Sequence, residues 1–89
     1  MRLTKRSVEA AAPGARDTFL WDGDLKGFGV KITPAGRRVY LLQYRMGGRE
    51  SPTRRWTIGA HGSPWTAETA RDEAIRIQTL VRQGVDPRV

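Results

Sequence analysis

The chain has 89 residues, no cysteine, and 16 Lys and Arg against 9 Asp and Glu, a formal charge of +7 with a pI near 11.1. That length makes one small domain with a thin core. The missing cysteines exclude disulfide staples, thiol chemistry and Cys-ligated zinc and suit a reducing, cytoplasmic setting, and the positive balance points to a polyanionic partner.

Residues 1–14, MRLTKRSVEAAAPG, combine basic residues with an Ala triplet but lack the continuous apolar stretch of a signal peptide. Thr4 is placed as the N-cap of a short helix over Lys5 to Ala12, with Leu3, Val8 and Ala11 or Ala12 inward, ended by Pro13-Gly14. Asp17 to Asp22 reads as a short edge strand in which Phe19 and Trp21 share one phase and Thr18 and Leu20 the other. Asp22-Gly23-Asp24 follows as a turn.

Gly27 to Thr33 alternates, with Phe28, Val30 and Ile32 on one face and Gly29, Lys31 and Thr33 on the other. Pro34-Ala35-Gly36 supplies a turn, Pro at the first central position and Gly at the end. Arg38 to Met46 is the longest strand, with Tyr40, Leu42 and Tyr44 in one phase and Val39, Leu41, Gln43 and Arg45 in the other. Val39 and Leu41 depart from polar-out alternation, so that half of the strand is expected to be covered on both faces.

Gly47-Gly48 could make a tight hairpin turn, but Pro52 cannot donate to a ladder, and a loop over Gly47 to Thr53 is preferred. Arg54 to Gly59 is the next strand, with Trp56 and Ile58 inward and Arg55 and Thr57 outward. Gly59 to Trp65 crosses irregularly. Thr66 caps a helix to about Gln83, with Ala67, Ala70, Ala74, Ile77 and Val81 forming its apolar stripe. Gly84 suits the position after that helix and Pro87 prevents its resumption.

Strands followed by one amphipathic helix predict an α+β fold. Phe28, Val30, Ile32, Tyr40, Leu42, Tyr44, Trp56 and Ile58 form the face the helix covers. The opposite face then carries Lys31, Thr33, Gln43, Arg45, Arg55 and Thr57 with no acid among them. Arg37, Arg38, Arg49 and Arg54 stand at or near the turns. Between Lys31 and Arg55 the only acid is Glu50, so these seven basic residues leave that window at +6 of the chain's +7.

Arg matches guanine edges bidentately, Gln matches adenine, and Thr reaches a phosphate or a thymine methyl. A small sheet is narrow enough for the major groove. Single-stranded bases would call for aromatics on the outer face. The strand aromatics fall instead on the inner phase, Trp21 and Trp65 being the unassigned exceptions, which favours duplex DNA.

No catalytic set emerges. His61 is a lone loop histidine, Asp22 and Asp24 flank a turn glycine, and Gly27-Phe28-Gly29 is followed by no helix as a phosphate loop would be. Tyr40 and Tyr44 face the core, and Ser7, Ser51 and Ser63 lack triad partners. No cofactor or metal is expected.

In order along the chain, Leu3-Thr4, Asp22 to Gly29 (DGDLKGFG), the aromatic-rich strand Tyr40 to Arg45, Ile58-Gly59, and Gly84-Val85-Asp86-Pro87 stand at a characteristic spacing. In these motifs the chain resembles the N-terminal arm-type DNA-binding domain of phage and prophage integrases, the tyrosine recombinases. The resemblance covers nearly the whole chain and departs from it at Glu50-Ser51-Pro52-Thr53, a longer loop.

It implies a three-stranded antiparallel sheet, with a short extra edge strand, packed on one C-terminal helix. It also implies that residues 1–89 are one non-catalytic domain of a longer integrase, whose core-binding and catalytic domains lie elsewhere. The implied partner is double-stranded DNA at arm-type repeats, with other integrase protomers and accessory DNA-bending or excisionase proteins around it and no membrane. The competing readings are a protein-interaction module that docks a protomer or excisionase, and an RNA-binding β module.

Overall fold

Local signals set the element boundaries in a computed structural model, which describes residues 2–46, 51–62 and 64–87. The first helix, α1 (Lys5–Ala10), opens at Thr4, whose side chain accepts the Ser7 N–H at 3.1 Å while Ser7 Oγ accepts the Thr4 N–H at 2.9 Å. This reciprocal cap satisfies two otherwise orphaned donors. The helix ends two residues before the expected Ala12, because Ala11 is already extended (φ −71, ψ 124).

Four strands follow: β1 (Thr18–Trp21), β2 (Phe28–Ile32), β3 (Arg38–Arg45) and β4 (Thr53–Ala60). They form one antiparallel sheet in the order β1-β2-β3-β4. The expectation of three strands with a short extra one is refined: β1 pairs along its whole length with β2, from Thr18 opposite Ile32 to Trp21 opposite Gly29. At the entry to β2, Gly27 lets the chain approach β3 closely. Its φ is +87, and a Cβ there would lie 2.4 Å from the Gln43 carbonyl oxygen, so only glycine lets the two backbones meet.

The turn between β2 and β3 closes through Gly36 N–H to Thr33 O at 2.9 Å, with Gly36 at φ +89. Residues 47–50, including most of the expected loop and Arg49, lie outside the described residues. The ladder of β3 with β4 is interrupted between Tyr40 and Leu41, where Ile58 is the extra residue of a bulge. Beyond it Gly59 carries the indole of Trp65: a Cβ on Gly59 would stand 2.2 Å from Trp65 Cδ1.

The C-terminal helix, α2 (Ala67–Arg82), starts with the same reciprocal cap between Thr66 and Thr69, has Glu68 in its first turn and Arg82 in its last, and suits the helix dipole at both ends. It stops in a Schellman arrangement. The Gly84 N–H reaches Val81 O at 3.0 Å and the Val85 N–H reaches Leu80 O at 2.9 Å, with Gly84 at φ +80.

Both helices cover one side of the sheet. Phe28, Val30, Tyr40 and Leu42 pack with Leu3 and Val8 beside α1 and with Ala67, Ala70, Ala74 and Ile77 on α2. Three alanines let α2 approach closely, and Trp56, Ile58, Leu20 and Val81 pack around the edge. Each large core side chain contributes roughly 1.5–3 kcal/mol by leaving water. Leu41 is also buried, 1% exposed, but lies outside this cluster in the opposite phase of β3.

Candidate nucleic-acid interface

Pairing registers decide which side chains share the uncovered face. One row across the sheet is Phe19, Lys31 and Val39; the next is Trp21, Gly29, Leu41 and Thr57. Gln43 then stands opposite Arg55, and Arg45 opposite Thr53. Arg45 Nε donates to Thr53 Oγ1 at 3.1 Å across that pair. Arg45, Thr53, Arg55 and Thr57 are exposed, and Lys31 and Gln43 are half-buried. Among the described residues none in these rows is acidic, which favours a positive potential on this face.

At the β2–β3 end, Thr33 and Arg37 close the turn rather than lie flat on the face. The Thr33 N–H reaches Arg37 O at 2.9 Å, and the Arg37 N–H donates to Thr33 Oγ1 at 3.1 Å. This holds the exposed Arg37 side chain at the rim of the sheet.

Two expected contact residues are placed differently. The Arg38 guanidinium donates to the carbonyls of Val8 (2.7 Å), Ala11 (2.8 Å), Gly36 (3.1 Å) and Glu9 (3.2 Å). It terminates α1, a helix that has no C-terminal glycine to do so. Arg54 stands opposite Tyr44 in the helix-side phase of β4 and pairs with Asp86. Tyr44 OH donates to the other oxygen of that carboxylate at 3.0 Å. Asp86 follows the Schellman turn, so Arg54 and Tyr44 fasten the segment leaving α2 to the sheet.

The aromatic distribution also corrects the sequence reading. Phe19 lies on the uncovered face rather than with the inward strand aromatics, and Trp21, left unassigned by the sequence, lies there with it. Their rings are parallel, 3° apart with centroids at 5.6 Å, and the Arg55 guanidinium sits 5.0 Å from the Phe19 centroid. Trp21 is 42% exposed. The register supplies the reason: Gly29 is paired with Trp21, and its bare position leaves room for the indole.

Asp22 is more than a turn residue. Its side chain is fully buried and accepts from the backbone N–H groups of Leu3 (2.7 Å), Leu25 (2.7 Å) and Asp24 (3.0 Å), and from Arg71. Burial alone would raise its pKa, but these bonds to Leu3, Arg71, Leu25 and Asp24 outweigh it and hold the carboxyl below its ordinary value. Arg71 also donates to Leu3 O at 2.9 Å and lies over the Phe28 ring, leaving its Nε buried without a hydrogen-bond partner. An Arg four residues after Ala67 and three before Ala74, on the apolar stripe, was the missed sign.

His61 is structural rather than solvated. Its Nδ1 meets Tyr40 OH at 2.7 Å and its Nε2 meets Glu9 Oε2 at 2.8 Å. Burial, with the Glu9 charge nearby, pushes the Tyr40 hydroxyl up to about 12. The Glu9 carboxyl is held below its ordinary value by its hydrogen bond to His61. This chain of bonds joins α1 to the segment after β4. Among the described residues no group of His, Asp and Glu is arranged to hold a metal ion, and no helix is long and apolar enough to cross a membrane.

Residues 3–89 match the family described as the Arm DNA-binding domain. The chain is 38% identical over 76 residues to "Prophage integrase IntF" of Escherichia coli (strain K12), covering 85% of this chain and 15% of that protein. It is 31% identical over 85 residues to "Integrase" of Shigella phage Sf6 and to "Prophage integrase IntS" of Escherichia coli (strain K12), covering 96% of this chain and 20% of each. The chain thus spans a fifth or less of the length of these relatives.

Proposed function

The chain belongs to the Arm DNA-binding domain family, and from that premise we propose that its uncovered sheet face binds duplex DNA at arm-type repeats and so positions an integrase for recombination. It is a non-catalytic DNA-binding module of the integrase kind. The observation that carries the proposal is the basic face of β2, β3 and β4 opposite both helices, with no acid among its described residues.

The major groove admits a two-stranded β-ribbon, and the paired strands β3 and β4 offer one whose outer face carries Gln43, Arg45, Arg55 and Thr57. Arg45 and Arg55 read guanine edges and Gln43 reads adenine, all from strand positions whose backbone is fixed by the ladder. Thr57 contacts a base edge or a phosphate, and Lys31, Thr33 and Arg37 hold phosphates beside the β2–β3 turn. Arg49, in the β3–β4 connection and outside the described residues, is a further phosphate contact in this reading. Arg38 and Arg54 assist indirectly, one by fixing α1 and the other by tying Asp86 to β4. Integrase protomers and excisionase or DNA-bending proteins would assemble on the same DNA.

An NMR titration with duplex DNA tests this. Shifts centred on Lys31, Gln43, Arg45, Arg55 and Thr57 are expected, with log K falling against log salt at a slope of about −3 for the three cations assigned to phosphates, Lys31, Arg37 and Arg49. Shifts confined to α2, or tighter binding to RNA than to DNA in competition, would reject the sheet-face reading.

A further inference from the structure

Beside the basic residues the uncovered face holds an apolar strip that charge does not explain. Trp21 and Phe19 stack on β1, and Leu41 and Val39 continue the strip onto β3. Leu41 is 1% exposed although both helices lie on the other side. The strip is built, not incidental. A Cβ on Gly29 would come within 2.5 Å of Trp21 Cε3, so the indole occupies the space that any larger residue would fill. Phe19 is engaged by the parallel Trp21 ring and by the Arg55 guanidinium, 5.0 Å from its centroid. A cation held over an aromatic face is oriented as well as attracted.

In the major groove of duplex DNA the one hydrocarbon group on a base edge is the thymine C5-methyl. We infer that Trp21, backed by Phe19 and Leu41, is a specificity-determining contact that receives a thymine methyl next to the base read by Arg55. The inference rests on the duplex-binding proposal. Charge complementarity brings the DNA to this face, and the strip then lies among residues directed at the groove. Phe19 acts as a positioning residue: its ring orients Arg55 toward the neighbouring base. Stacking of a single-stranded base is the rival use of an exposed indole. It is disfavoured because the Phe19 and Trp21 rings are already paired with each other.

The test starts from duplexes selected by the chain out of a random pool. The best-bound duplex is then prepared in parallel with thymine or with uracil, which lacks only the methyl. Burying one methyl corresponds to roughly fourfold in affinity, so the uracil duplex should bind the wild-type chain about fourfold more weakly. With Trp21→Ala that thymine-to-uracil ratio should fall to about one, while the salt dependence stays as it was because phosphate contacts persist. Equal binding of the two duplexes by the wild-type chain, which needs no variant, overturns the inference alone. A ratio that survives Trp21→Ala in a folded variant also overturns it, as does tighter binding to the single strand with quenching of Trp21 fluorescence. Absence of any saturable duplex binding would remove the functional proposal as well.

Discussion

Asp22 and Arg71, 49 residues apart in sequence, meet as a buried ion pair that also clasps both backbone groups of Leu3. One carboxylate thereby joins the N-terminal segment, the β1–β2 turn and the second turn of α2. Removing the carboxylate would leave a buried guanidinium and three N–H groups without their acceptor. Losing one partner of a buried pair costs about 3–5 kcal/mol, a large part of the stability of so small a domain. Asp22→Ala is therefore expected to shift the urea midpoint strongly downward or prevent folding. Asp22→Asn, which keeps an acceptor oxygen, should lose less.

The same carboxyl makes stability depend on acid. Its folded pKa is depressed, so its contribution is complete above the ordinary aspartate value of about 4 and is lost as pH falls through the lower folded value. The thermal stability of the wild-type chain should fall on acidification below about pH 4. Asp22→Asn should show a shallower decline over the same range.

At the alkaline end the relevant group is Tyr40. Its folded pKa is raised to about 12, so its contribution is complete below the unfolded value of about 10 and is lost as pH rises through the folded one. Tyr40→Phe should flatten that alkaline loss. At neutral pH it should also cost about 1–3 kcal/mol by leaving His61 Nδ1 without its partner. Unfolding curves across pH, together with tyrosinate absorbance, measure both effects.

Gly29→Ala places a carbon 2.5 Å from Trp21 Cε3 and 2.7 Å from the Leu20 carbonyl oxygen. The indole can swing aside, but the carbonyl belongs to a paired strand. Overpacking of this sort costs about 1–3 kcal/mol. The expected result is a lower unfolding midpoint and a changed Trp emission, since Trp21 must move.

Arginines separate into two experimental classes. Arg45→Ala and Arg55→Ala should retain the fold, weaken duplex binding by about 1–3 kcal/mol each and relax preference at one base position. Arg38→Ala should instead lower stability, because three carbonyls at the end of α1 and that of Gly36 in the β2–β3 turn lose their donor, and the salt slope of the folded protein should be unchanged. Unchanged affinity in a folded Arg45→Ala chain would remove Arg45 from the contact surface.

Periodicity and caps made most of the backbone legible. Thr4, Thr66, Gly36 and Gly84 act through bonds within a few residues of themselves, so their local sequence suffices to place helix and turn ends. The alternation of Phe28 to Ile32 and Tyr40 to Tyr44 likewise separates the covered face from the basic one, since one dominant apolar set must face the helix. The ordered motifs from Leu3-Thr4 to Asp86-Pro87 were enough to indicate the family.

Tertiary structure alone decided three further matters. A period of two shows that Phe19 and Trp21 share a face, but only the pairing of Trp21 with Gly29 shows which one. Arg38 and Arg54 have the same composition signal as Arg45 and Arg55, yet the nearby carbonyls of α1 and the Asp86 carboxylate claim them. Asp22 looks like a turn residue until α2 brings Arg71 against it. Each case turns on the same physical fact: a long polar or aromatic side chain takes its role from partners within a few ångströms, and those partners lie tens of residues away in the chain.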